Sequence, residues 1–159
     1  GSQQSIIDTI SFVRKELPDA KLRTTVITGF PGETEKDFAE LHDFIKKTKF
    51  EHLGVFAYSD QKETVSFKLE GKLEEQVKQN RQKTILRTQQ AISKRLNKKY
   101  IGQTMKVLID NNNGGRRYFD APDIDGFVNI SNVTPKDIGK IKDVQIKKAL
   151  TYDLIGEIT

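Results

Sequence analysis

Cysteine and tryptophan are absent from the 159 residues, methionine occurs once, histidine twice and proline four times. Without cysteine the chain can form no disulfide, no thiolate-held metal site and no cysteine-ligated iron–sulfur cluster. His42 and His52 have no second ligand at metal-binding spacing, so no role is assigned to them. No apolar run approaches the roughly 20 residues that cross a bilayer, and nothing has the form of a signal or transit peptide. The expectation is a cytoplasmic protein with no membrane partner. Gly1-Ser2 has the form of a remnant left by tag cleavage.

Charge is plentiful but uneven. The net charge is +5, yet residues 1–67 carry 9 basic and 11 acidic side chains, residues 68–100 carry 10 and 3, and residues 101–159 carry 8 and 8. The basic character belongs to the middle segment, either as a solvated helix face or as an attraction for nucleic acid.

The chain is organised around Arg23–Asp37, R-T-T-V-I-T-G-F-P-G-E-T-E-K-D. A β-branched run leads into a glycine-punctuated loop, and Thr34 then opens a helix with Asp37 three residues on, a capping-box pattern. Gly29 and Gly32 permit positive φ and close approach of a ligand, and Pro31 stiffens the bend. Such a strand–loop–helix is the repeating unit of an α/β barrel, whose active-site loops follow the strands. An ordinary βα turn is the alternative.

Before this unit, Ser5 with Asp8 predicts a capped helix carrying Ile6, Ile10, Val13 and Leu17 on one stripe, stopped by Pro18. Lys21–Thr28 reads as a strand with Arg23, Thr25 and Ile27 on one face. A second helix over about Glu35–Lys47 and a strand over His52–Ser59 complete an α-β-α-β run, too few strands to close a barrel. Residues 60–71 form a polar connection. A long helix is expected from about Leu73 to Lys99, with Leu73, Val77, Ile85, Ile92 and Leu96 as an apolar seam and Arg81 among the basic residues on its other faces. From Gly102 onward the pattern becomes all-β. Met105–Asp110 ends in the hairpin-loop signal Asn111–Gly115, and Arg116–Ala121, Phe127–Ile130, Lys140–Lys147 and Asp153–Ile158 follow. Five short strands in sixty residues predict a small OB-like barrel.

Four blocks carry a resemblance: R-T-T-V-I-T-G-F-P-G-E-T-E-K-D-F, L-G-V-F-A-Y-S, Q-Q-A-I-S and G-R-R-Y-F-D-A-P-D-I-D-G. In that order they resemble the radical S-adenosylmethionine methylthiotransferases. The last block and A-L-T-Y-D-L-I-G-E resemble the RimO-like branch, which modifies an aspartate of a small-subunit ribosomal protein. The resemblance implies that residues 3–67 are the C-terminal part of the radical-enzyme barrel, residues 68–100 a linking helix and residues 101–159 a TRAM domain. It implies S-adenosylmethionine and two 4Fe–4S clusters in the parent protein, none of them held by this chain alone, which is expected to be inactive. Where the family usually has Gly-Thr-Pro or Gly-Thr-Ala after the last barrel strand, this sequence has Glu63-Thr64-Val65.

By resemblance Gly29, Phe30, Pro31, Gly32 and Glu33 lie along the cofactor. Arg23 either pairs with its carboxylate or forms a structural ion pair, and Tyr58 and Ser59 reach the same rim, Tyr58 with an equal case for a core role. On the barrel, Asp120, Asp123 and Asp125 form an acidic loop suited to a lysine- and arginine-rich ribosomal protein, or serve only as turn residues. Arg116, Arg117, Tyr118 and Phe119 form a contrary patch suited to single-stranded RNA, so Arg116 and Tyr118 join the three aspartates as candidate substrate contacts. Alternatives are the tRNA-modifying branch of the family and a non-enzymatic RNA- or protein-binding module. The exposed half-barrel is also expected to favour self-association.

Overall fold

The structure, a computed structural model, describes residues 2–159. It contains three α-helices, α1 (Gln3–Glu16), α2 (Glu35–Thr48) and α3 (Glu75–Asn97), and seven strands, β1 (Arg23–Thr28), β2 (His52–Ala57), β3 (Thr104–Asn111), β4 (Gly114–Arg117), β5 (Val128–Ile130), β6 (Ile141–Ala149) and β7 (Leu154–Ile158). Two compact units meet between Gln89 and Gln90, inside α3.

The first unit is built on a two-stranded parallel sheet in which Arg23 faces His52, Val26 faces Val55 and Thr28 faces Ala57. Helix α1 starts at Gln3 rather than Ser5, because the Ser2 hydroxyl accepts the Ser5 N–H and serves as the cap. Helix α2 begins as the sequence predicts: the Thr34 side chain accepts from the Asp37 N–H while the Asp37 carboxylate accepts from the Thr34 N–H. It ends at Lys49, which takes a left-handed φ of 53° and donates its N–H to the Ile45 carbonyl. Ile45, Phe50, Val55 and Ile85 are buried, each worth about 1.5–3 kcal/mol relative to exposure. One sheet face stays open, with Ile27 and Phe56 50% and 59% exposed. Residues 60–71 contain a short 3-10 turn at Val65–Lys68.

Helix α3 departs from its expected seam. Of Leu73, Val77, Ile85, Ile92 and Leu96 only Ile85 is fully buried, and the buried line is Arg81, Ile85, Gln89, Ser93 and Asn97. Every fourth residue lies along one helix face, and here four of the five are polar. Arg81, expected among the solvent-facing cations, is buried. Polar groups tolerate this when each finds a partner. Gln89 donates to the Phe50 carbonyl at 2.9 Å and half-buried Gln82 to the Val55 carbonyl at 2.8 Å. The Gln82 amide thereby satisfies a backbone acceptor of β2.

The second unit is a closed five-stranded barrel in the order β3-β4-β5-β7-β6, with β5 and β7 parallel and the other pairs antiparallel. Val107, Ile109, Val128, Ile130, Val144, Ile146 and Leu154 point inward and form its core. The alternation along β3 and β6 is the period-2 pattern of a half-buried strand.

Strand β4 differs from the expected Arg116–Ala121. Gly114 and Gly115 are strand residues, not loop, because a Cβ on either would meet a carbonyl oxygen of an adjacent strand, Val128 at 1.9 Å and Leu108 at 1.8 Å. The hairpin turn is therefore tighter than the Asn-Gly run suggests.

Candidate functional site

The loop after β1 is held by its own chain. Gly29 has φ +74°, and a Cβ there would lie 2.2 Å from Lys78 Cγ. The close approach that glycine allows is thus taken up by α3. The Gly29 N–H donates to Glu33 Oε1 at 3.0 Å. Arg81 donates to that same oxygen at 2.5 Å, to the Glu33 carbonyl at 3.1 Å and to Glu35 Oε1 at 2.6 Å. Burial works against the guanidinium's charge, but the two glutamates outweigh it and hold its pKa above the ordinary value. At Gly32 the φ is +85°, its N–H donates to the Gly71 carbonyl at 2.9 Å, and no atom lies within 4 Å of a hypothetical Cβ.

Of the expected loop contacts, Gly29 and Pro31 are buried, the Glu33 carboxylate is engaged by Arg81, and Phe30 and Gly32 are exposed. Tyr58 is buried, its ring meeting Phe30 edge-on at 5.2 Å, and Ser59 is exposed beside it in sequence. Arg23 lies on the open sheet face with Thr25 and Ile27. A cleft of about 640 Å³ runs along β1 between α1 and α2, lined by Ile6, Ile10, Leu22, Arg23, Val26 and Phe44 among others. Sequence reasoning missed Arg81 and Lys78, although Glu33 and Glu35, two residues apart at a helix start, are the signal for a bound guanidinium.

On the barrel, the three aspartates part company. The Asp120 side chain is completely buried, taking Arg117 Nε at 2.5 Å and Arg117 Nη2 at 2.7 Å, with the Arg117 N–H at 3.1 Å. It is not a surface residue. Asp125 is half-buried and its carboxylate accepts the Ala121 N–H at 2.6 Å, the work of a turn residue. Asp123 alone is exposed, at a left-handed φ of 59°.

Arg116 pairs with Asp110 across the β3–β4 hairpin. These two line a shallow groove of about 300 Å³ together with Asn111, Pro122, Asp123 and Phe127. Arg117 is buried, donating to Asn97 Oδ1 at 3.2 Å and lying 4.4 Å from the Phe119 ring centroid. Tyr118 is 78% exposed. The expected aromatic–basic patch therefore resolves into one buried cation and one open ring.

The closed barrel and the glycine-bend βα unit define a mixed α/β and β-barrel chain, and residues 101–159 match the TRAM domain model. Over nearly its whole length the chain is similar to a group of curated proteins. It is 43% identical over 99% of its length to the ribosomal protein uS12 methylthiotransferase RimO of Clostridioides difficile. It is 43% identical over 98% to that of Thermosipho africanus and 44% identical over 98% to that of Petrotoga mobilis. The chain spans only 36–37% of the length of these relatives. Among the described residues no helix is long and apolar enough to cross a membrane.

Proposed function

We propose that this chain is the C-terminal part of a cytoplasmic radical S-adenosylmethionine methylthiotransferase acting on an aspartate of a small-subunit ribosomal protein. The observation that carries the reading is the 43% identity to a uS12 methylthiotransferase over 99% of the chain. The iron–sulfur clusters of such an enzyme need thiolates, which this chain lacks, so the chain alone carries out no radical chemistry. When bound, S-adenosylmethionine supplies the carbon radical of such chemistry. This chain's contribution to that site is one wall. Exposed Phe30 offers an apolar face, Gly32 an exposed bend without a side chain, and Ser59 a hydroxyl. Arg81 and Glu33 fix the loop rather than touch the ligand.

The TRAM barrel docks the basic protein substrate. The groove beside Arg116, with Asp123 exposed at its edge and Asp125 in its wall, is the favoured contact. The experiment is titration of the chain with purified ribosomal protein uS12. Micromolar binding that weakens with salt, and weakens further in Asp123→Asn, supports the reading. Affinity unchanged in Asp123→Asn and in Arg116→Gln rejects that groove as the docking surface.

The open sheet face bearing Ile27 and Phe56 favours self-association of the isolated chain. Sedimentation that stays monomeric at high concentration, and is unaltered by Phe56→Ser, counts against it.

A further inference from the structure

An aspartate has one side-chain carbon that carries hydrogen, and fixing its carboxylate fixes that carbon. A cation at the rim of the wall formed by Phe30, Gly32 and Ser59 is the residue type suited to this task, because hydrogen bonds between charged groups are the strong ones.

The fold brings one such cation to the rim. The loop that follows β2 returns to the glycine bend at Gly71, whose carbonyl accepts the Gly32 N–H at 2.9 Å. The two backbones cross closely there: Gly71 has φ +75°, and a Cβ on it would lie 3.2 Å from the Gly32 nitrogen. Lys72 is the next residue, and its Nζ is 3.0 Å from Asp60 Oδ2. Asp60 directly follows Ser59. Lys72 is therefore tied through Gly71 to Gly32 and through Asp60 to the end of β2.

Its ammonium also lies 4.3 Å from the Phe67 ring centroid, within cation–π range. Carboxylate and ring together hold a long, flexible side chain in one place. The pair is nevertheless open, with 39% and 36% of the two side chains exposed. A pair so exposed contributes little to stability, and it leaves the ammonium within reach of a second carboxylate.

Other cations of the first unit are committed elsewhere. The Lys78 side chain is only 12% exposed, pairs with Glu75 at 2.8 Å and packs its stem against Gly29. Arg81 is buried and engaged by Glu33 and Glu35. Arg23 opens β1, whereas the bend follows the strand's far end.

We propose that Lys72 is a specificity-determining residue that receives the carboxylate of the target aspartate, with Asp60 holding the ammonium in place until the substrate arrives. This assignment rests on the aspartate-modifying reading above.

The test is titration of the chain with purified ribosomal protein uS12 and with a form of it carrying asparagine in place of the target aspartate. Lys72→Gln should weaken binding of the parent uS12 about fivefold, the upper scale of an exposed ion pair. It should leave affinity for the asparagine form unchanged, so that the two changes together lose no more than either alone. Lys72→Arg keeps the charge and should keep the preference for aspartate. Lys68→Gln removes the same charge from an exposed position of the same loop and should lower neither affinity. Asp60→Asn frees the ammonium and should tighten binding of the parent uS12.

The signs separate this site from general attraction. Toward a basic partner, loss of a lysine strengthens long-range attraction and loss of an aspartate weakens it. The Lys72 site requires the reverse at both positions. Tighter binding in Lys72→Gln with weaker binding in Asp60→Asn would overturn it. So would an unchanged affinity in Lys72→Gln, or an equal loss toward both forms of uS12. If the parent chain shows no measurable binding to uS12, the docking reading itself fails and takes this site with it.

Discussion

Arg117 and Asp120 form a bidentate ion pair, both side chains almost wholly inside the barrel unit, with contacts of 2.5 and 2.7 Å. Asn97 of α3 takes a third proton of the same guanidinium, and its own amide donates to the Thr151 and Tyr152 carbonyls at 3.2 and 2.9 Å. The pair thus joins the end of the helix to the barrel. Removing one member of such a pair leaves a buried charge without compensation, which costs about 3–5 kcal/mol. Asp120→Asn is expected to lose stability on that scale in urea unfolding. Asp123→Asn, on the exposed side of the same turn, should stay within about 0.5 kcal/mol of the parent. Similar losses in the two variants would show that the burial of Asp120 carries no weight.

The glycine bend makes a second prediction. At Gly29 a methyl group meets Lys78 at 2.2 Å, while at Gly32 it meets nothing, and both residues have left-handed φ. The conformational cost of alanine, about 1–2 kcal/mol, is common to both. The difference between Gly29→Ala and Gly32→Ala therefore isolates the contact with α3. Gly29→Ala is expected to be the more destabilising by about 1 kcal/mol or more, since inserted carbon in a packed site costs about 1–3 kcal/mol. Equal midpoints in thermal unfolding would mean that Lys78 moves aside without cost.

These two sites also mark where the sequence is legible. The capping box at Thr34, the strand before Gly29 and the inward alternation of β3 and β6 are local patterns, and each is found where the pattern places it. The burial of Arg81, Asn97, Arg117 and Asp120 is not local. Each is stabilised by a partner that hydropathy cannot reveal, so a polar residue on a helix reads as solvent-facing until its partner is known. Gly114 and Gly115 failed for a related reason. Their residue type signals a turn, but the spacing of strands around a small barrel demands the absence of a side chain.

The Arg81 fork supplies a third prediction. Its Glu33 partner is largely shielded while Glu35 is 85% exposed. Arg81→Gln should destabilise the first unit by about 1.5–3 kcal/mol, the range for a hydrogen bond to a charged group. Glu35→Gln should cost less than about 1 kcal/mol, as for an exposed pair. Hydrogen exchange gives the more local readout. The Gly29 amide, bound to Glu33, is expected to lose protection in Arg81→Gln and to keep it in Glu35→Gln. Loss of protection in neither would mean that the loop holds its shape without the guanidinium.

Helix α1 buries no residue completely, and Glu51 adds a polar tie to it through Arg14. That carboxylate takes both Arg14 nitrogens at 2.9 Å and the Leu22 N–H at 2.8 Å. Burial raises its pKa, but the Arg14 and Leu22 hydrogen bonds prevail and the net value falls below the ordinary 4.5. A carboxylate whose folded pKa is depressed contributes stability above its unfolded pKa and loses it as pH falls through the folded one. Protection of α1 amides in hydrogen exchange should therefore be constant from neutral pH to about 4.5 and decline below it. Glu51→Gln cannot titrate. It should show weaker α1 protection at neutral pH and a flatter acid limb, the two proteins converging as the parent's carboxyl is protonated. An acid limb of the same steepness in both would assign the loss to other carboxylates and leave Arg14–Glu51 as a contact without influence on the helix.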